Sequence, residues 1–156
     1  MRAIYRYHAV DRGWGDIGYH YLIDEDGHIY EGRWSGAESD ACSQGGDGAD
    51  LAHDGAGRLV TAGHTGGYNS GNVGIALLGE FTTHRRFGGA PKAAAVSALE
   101  DALAELATRH GIDPLGTVDD VNPVSGDIKN AITTISGHRD WTSTECPGER
   151  LYEQLP

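Results

Sequence analysis

The sequence predicts a mixed α/β (α+β) domain, a central mixed β-sheet flanked by helices. Three stretches carry that expectation. Asn72 to Phe81, NVGIALLGEF, is a near-continuous apolar run, the pattern of a central strand covered on both faces. Pro91 to His110 places Val96, Leu99, Leu103 and Leu106 on one stripe of a helix. Gly18 to Asp24 (GYHYLID) and His28 to Gly32 flank Asp24-Glu25-Asp26-Gly27, the composition of a hairpin turn. The chain has 156 residues, enough for one hydrophobic core, so a single domain over 1–156 is expected.

Taken in order, Arg2 to Ala9 reads as a short helix, with Ile4, Tyr5 and His8 on a shared face. The chain therefore starts almost inside an element, which suggests missing sequence upstream. Arg12 to Asp16 is a turn. In the first strand Tyr19, Tyr21 and Ile23 share one face, and His20 and Leu22 the other. Residues 35–63 are rich in Gly, Asp, Ala and Ser without a period and read as a long loop. Arg58 to Thr61 returns from it as a short strand. His64-Thr65-Gly66-Gly67-Tyr68-Asn69 is a tight polar turn before the apolar strand. In the long helix Pro91 suits the first turn and Gly111 the left-handed residue past the end. Residues 113–130 read as a second loop, Ala131 to Ile135 as a strand, and Gly148 to Leu155 as a short terminal helix.

The formal net charge is −11, which argues against a nucleic-acid partner, since phosphate binding needs clustered Lys and Arg. No run approaches the roughly 20 apolar residues of a membrane span. The opening residues MRAIYRYHAV have no apolar h-region and no cleavage site of a signal peptide. The acids of the first loop lack the spacing of a calcium loop.

The chemistry concentrates in Ile135 to Gly148, ISGHRDWTSTECPG. His138 and Cys146 supply the two side chains zinc favours most. Their spacing is not that of a zinc finger. It fits two of the three protein ligands of an open, catalytic site. On their own the two residues fit a surface His and a buried free Cys better than a zinc site. Two cysteines also leave a Cys42–Cys146 disulfide open, which would consume the sulfur.

The stretches WGDIGYHYLI, DGHIYEGR, HTGGYNSGNVGIALLGEF and ISGHRDWTSTECPG occur in that order. Together they resemble the zinc-dependent type 2 N-acetylmuramoyl-L-alanine amidases, a family that shares its fold with the peptidoglycan recognition proteins and a phage lysozyme. The two Gly-rich loops look like insertions of its actinobacterial members. The resemblance implies hydrolysis of the amide between N-acetylmuramic acid and L-alanine of the stem peptide. It implies Zn2+ held by His138 and Cys146. It places the Tyr19 hydroxyl opposite the metal-bound water, and Thr144 where the phage enzyme has Lys. His64, Thr65 and Asn69 would line the peptide groove. Zinc lowers the pKa of bound water to about 7 and polarises the carbonyl. Tyr19, Thr144 and His64 are then candidate donors to the oxyanion. Peptidoglycan is the implied partner, the protein a monomer, and the location extracellular or at the cell wall.

The match departs from the family at one point. The family's first zinc ligand is a His on a strand before the helix that begins here near Arg2, and this chain has no such strand, so the fold is expected to be N-terminally truncated. Three readings follow: a fragment or mis-called start, a substitute ligand in His20 or His8, or a non-catalytic peptidoglycan-binding module. A different rival is a thiol hydrolase with Cys146 as nucleophile and His138 as base. Loss of a strand would also leave neighbouring backbone groups exposed.

Overall fold

The protein is described here by a computed structural model covering residues 1–33, 52–53 and 58–156. Of the loop expected over 35–63, residues 35–51 and 54–57 lie outside the described residues, as does Cys42.

The first hairpin forms around one carboxylate. Asp24 Oδ1 accepts the backbone N–H of Asp26 (3.0 Å) and His28 (2.9 Å), and Oδ2 accepts the Tyr30 hydroxyl at 2.6 Å. The Tyr30 bond and the other donors hold the Asp24 carboxyl at a pKa of about 2. Gly27 takes the left-handed conformation (φ 87°) that the turn needs. Strand β1 (Tyr21–Ile23) then pairs antiparallel with β2 (Ile29–Glu31), Leu22 opposite Tyr30. On its other side β1 pairs in parallel with β3 (Ile75–Leu77), Leu22 opposite Ala76. The sheet is mixed, in the order β2-β1-β3. Leu22 and Ile23 point to opposite faces of β1 and both are fully buried, so both faces of this strand are covered.

The apolar strand near residue 75 departs from expectation. It was expected at the centre of the sheet and stands at its edge: among the described residues nothing pairs with its far side. Ile75, Ala76 and Leu77 are all half-buried. A cavity of about 870 Å³ opens beside them. Its walls include β3, Leu99, Leu103 and Leu106 of the long helix, and Ile135 and Leu151 from the C-terminal end. The helix α2 (Ala93–His110) lies where its stripe predicts and ends as expected. Gly111 is left-handed, Gly111 N–H donates to Thr108 and Ile112 N–H to Ala107, a Schellman closure. Yet its leucine stripe is only half-buried, because it faces the cavity; Ala95 is the helix's buried residue.

Residues 113–130, expected as a loop, contain most of a β-hairpin instead. β4 (Thr117–Val121) pairs antiparallel with β5 (Ile128–Thr133). The register shifts between Val118 and Asp120, where Asp119 accepts the N–H of Ala131 (2.7 Å), a non-glycine residue at φ 51°. This bulge takes up a sequence rich in Asp and Asn that does not alternate. The Asn122 side-chain amide donates to the Gly67 carbonyl and ties the hairpin to the polar turn.

At the N-terminus, α1 (Arg2–Tyr5) runs into a π-helical stretch, Arg6–Asp11. The wider turn brings His8 beside Gly18, whose N–H donates to His8 Nδ1 at 3.2 Å. Short helices α3 (His138–Trp141) and α4 (Glu149–Tyr152) complete the chain. No described helix is long and apolar enough to cross a membrane.

This arrangement predicts unequal costs for two leucines. Leu22→Ala, at a fully buried site, should destabilise by about 2–5 kcal/mol. Leu103→Ala, on the cavity wall, should cost less than half as much, because its leucine already meets water. Urea midpoints decide; equal losses would mean that the cavity is filled.

Candidate active site

The C-terminal loop is closed on itself by hydrogen bonds. Asp140 sits at the third position of α3 and its Oδ2 accepts the Gly137 N–H at 2.7 Å, capping the helix start. Its Oδ1 accepts the Tyr152 hydroxyl at 2.5 Å, which links α3 to α4 and raises the Tyr152 pKa. Arg139 N–H donates to the Cys146 carbonyl at 3.0 Å. Trp141 Nε1 donates to Ser136 Oγ at 2.9 Å. Gly137 is buried against Tyr152 and Pro147, and a Cβ there would lie 2.8 Å from the Tyr152 ring. These bonds bring His138 and Cys146, distant by eight positions, onto one wall of the cavity.

Tyr19 lies on the same cavity, one residue past the buried Gly18. Its carbonyl accepts the Arg33 N–H at 2.7 Å, which fixes the backbone. Burial raises the phenol's pKa first, and the nearby Cys146 raises it further. Tyr19 therefore keeps its proton at neutral pH and can donate it in a hydrogen bond. His138 is held below the usual histidine value by desolvation, so its imidazole is neutral at pH 7. Cys146 is a free thiol, exposed as a residue. Desolvation raises its pKa, against the pull of Arg139. Cys42, the partner the sequence leaves open for a disulfide, lies outside the described residues. The raised thiol pKa also weighs against the thiol-hydrolase reading, since a nucleophilic cysteine needs a lowered one.

His64 and Thr65 line the cavity from the polar turn. The His64 Nε2 lies 3.1 Å from the Asn72 carbonyl and must donate to it. Nδ1 then accepts the Thr65 hydroxyl at 3.0 Å. In this structure both nitrogens are engaged by the protein. Burial and the neighbouring His20 depress its pKa to about 4. Gly74 leaves the room this needs, because a Cβ there would collide with the His64 ring. Asn69 is half-buried and accepts the Thr65 N–H through Oδ1 at 2.7 Å; it shapes the turn and is not part of the cavity wall. Thr144 is also off the wall: it is exposed, with its hydroxyl accepting the Cys146 N–H at 3.2 Å. Of the seven site residues read from the sequence, five meet at the cavity and Asn69 and Thr144 do not.

The substitute ligands fare differently. His20 is fully buried, with Nε2 donating to Val60 (2.7 Å) and Nδ1 accepting the Gly74 N–H (2.9 Å), so it has no lone pair for a metal. His8 lines the cavity, its ring 5.8 Å from that of Tyr19. Sequence reasoning gave it little weight because a regular helix does not announce the π-turn that aims it. Among the described residues no three His, Cys, Asp or Glu side chains converge to hold a metal. His138 and Cys146 have the donor chemistry for two corners of a zinc site, and the described set does not complete it.

The chain is similar to known proteins along nearly its whole length. The family profile described as N-acetylmuramoyl-L-alanine amidase matches residues 2–149. The human protein named N-acetylmuramoyl-L-alanine amidase is 30% identical over 158 residues, which cover 99% of this chain and 19% of that one. Peptidoglycan-recognition protein SC2 of Drosophila simulans is 29% identical, over 99% of this chain and 60% of the other. Among solved structures, Drosophila PGRP-LB superposes with a TM-score of 0.64 at 28% identity, over 99% of this chain and 64% of that chain. Human PGRP-IBETAC, solved in complex with glycosamyl muramyl pentapeptide, gives 0.59 at 27% identity, over 97% and 65%. The chain thus spans less than two thirds of each of these relatives. With nearly all of its length matched by one profile, the chain belongs to the N-acetylmuramoyl-L-alanine amidase family and has the mixed α/β fold of the peptidoglycan recognition proteins.

Proposed function

We propose that this chain carries the muramoyl-peptide site of a peptidoglycan amidase, which hydrolyses the amide between N-acetylmuramic acid and L-alanine and depends on zinc. The observation that supports it best is the meeting of Tyr19, His138 and Cys146 on one cavity with His64 and Thr65. The cavity, about 870 Å³, has the size of a ligand cleft. The scissile carbonyl would sit against Tyr19, whose hydroxyl donates to the oxygen as negative charge develops. His64 and Thr65, locked to each other, form a fixed wall that orients the peptide. Such a protein works where peptidoglycan is, outside the cell or at its wall, and the cleft needs no second subunit.

One observation favours a second reading, a recognition module without catalysis: the described donor set stops at two. A muramoyl peptide separates the readings. Calorimetry should show binding in either case. The amidase reading expects free L-alanine amino termini to appear when zinc is supplied. Binding with no release selects the recognition module, and absence of binding rejects both. In an active protein Tyr19→Phe should keep fold and peptide binding while kcat drops by about 10²–10³, the usual cost of one oxyanion donor. Unchanged turnover would remove Tyr19 from the chemistry.

The depressed histidines also set a pH dependence. His64 has a pKa of about 4 in the fold against 6.5 in the unfolded chain, and His20 shifts in the same direction. The unfolded state therefore binds more protons between those values, and stability falls as pH drops from about 6.5 to 4. The urea midpoint should fall over that range, with a shallower slope in His64→Gln. A midpoint that rises on acidification would contradict the burial of these rings.

A further inference from the structure

A second pair of histidines meets where α2 ends. His53 Nε2 and His110 Nε2 are 3.0 Å apart, with the rings inclined by 25° and their centroids 5.0 Å apart. We propose that His53 and His110 form a bidentate site for a hydrated transition-metal dication of the imidazole-preferring class, separate from His138 and Cys146.

The spacing is the first argument. With metal–nitrogen bonds of about 2.0–2.1 Å, two donors at tetrahedral or octahedral angles sit about 2.8–3.4 Å apart. The observed separation falls in that interval, and a small turn of the rings, from aiming at each other to aiming at a shared ion, completes the geometry. Position is the second. His110 is the last residue of α2, and Gly111 turns the chain away. The negative end of the helix dipole favours a cation there. Arg109 is adjacent, but its guanidinium reaches back to Glu105 at 3.2 Å. Rigidity is the third. His53 is 4% exposed and bridges Leu59 in antiparallel fashion, and Val60 N–H donates to the Ala52 carbonyl at 3.0 Å. The Val60 carbonyl in turn accepts from His20 at 2.7 Å. A backbone hydrogen bond links Ala52 to the Tyr21 phenol of β1. One donor is thus held by the sheet and the other by the helix. His110 is exposed and borders the large cavity, which leaves a path for the ion and its remaining water ligands.

Charge and protons balance. Desolvation, His53 and Arg109 lower the His110 pKa, so the ring is neutral at pH 7. Without metal, one Nε2 carries the proton that the other accepts. On binding, that ring shifts its proton to Nδ1 and both Nε2 atoms offer lone pairs, with no net proton release. Ligand preference among divalent ions should follow imidazole affinity, with nickel, copper and zinc above magnesium or calcium.

Ni2+ alone is the probe, and calorimetry on the His138→Ala/Cys146→Ala double variant is the measurement, since that background removes the two donors proposed for zinc. One equivalent should bind. Adding His110→Gln should weaken it at least tenfold, while the glutamine amide keeps a hydrogen bond to His53 and thermal unfolding without metal stays the same. His53→Gln should weaken it equally. Failure to bind Ni2+, or binding indifferent to His110→Gln, would leave His53 and His110 as a hydrogen-bonded clasp only and overturn the proposal.

Discussion

The site depends on the carboxylate of Asp140. It caps α3 through the Gly137 N–H and accepts the Tyr152 hydroxyl from α4, so one side chain fixes both ends of the loop that carries His138 and Cys146. The backbone bond from Arg139 to the Cys146 carbonyl closes the loop between them. α3 and α4 are four residues each, too short to be stable alone. Their geometry therefore comes from these bonds and from the burial of Leu151 and Gly137. A buried or half-buried carboxylate of this kind is expensive to leave unpaired, which makes the loop close as a unit.

The second constraint is the open flank of the sheet. β3 has no partner on its far side among the described residues and borders the cavity there, and α2 lays its leucines along the other wall. The same cavity holds Tyr19, His138 and Cys146, so the chemistry and the open flank are continuous. Natural sheets protect apolar edges from pairing with other chains. Here the half-buried Ile75, Ala76 and Leu77 form an edge lacking charge. The polar turn closes the remaining side, tied to β4–β5 by Asn122 and packed through Tyr68 against Trp141, the rings tilted by 48° with centroids 5.4 Å apart.

Much of this was legible in the residues, and the failures have physical causes. The hairpin at Asp24–Gly27 and the helix ending at Gly111 were read from local turn and capping chemistry, which acts over a few residues. His138 and Cys146 stood out because their donor chemistry is specific, and their meeting with Tyr19 followed the order of the motifs. The apolar run at Ile75 was misplaced because hydrophobicity reports an environment that excludes water, not which side of a strand has a partner. The β4–β5 hairpin was missed because its Asp-Asn-Pro content reads as a loop and its bulge interrupts alternation. Motif position points to Thr144, Asn69 and His64 but carries no information on side-chain direction: the first two lie off the cavity wall, and the His64 nitrogens bond to Asn72 and Thr65. The His53–His110 pair joins the period-less loop to the end of α2 across 57 positions, and nothing local links the two.

The central claim is that the Cys146 sulfur, the His138 imidazole and the Tyr19 phenol share one cavity. Selective alkylation of Cys146, followed by NMR of the aromatic side chains, tests it without a metal or a substrate. The ring resonances of His138 and Tyr19 should shift, while those of His28 and Tyr30, on the first hairpin, should not. A Tyr19 ring unchanged by a group placed on Cys146 would contradict the account.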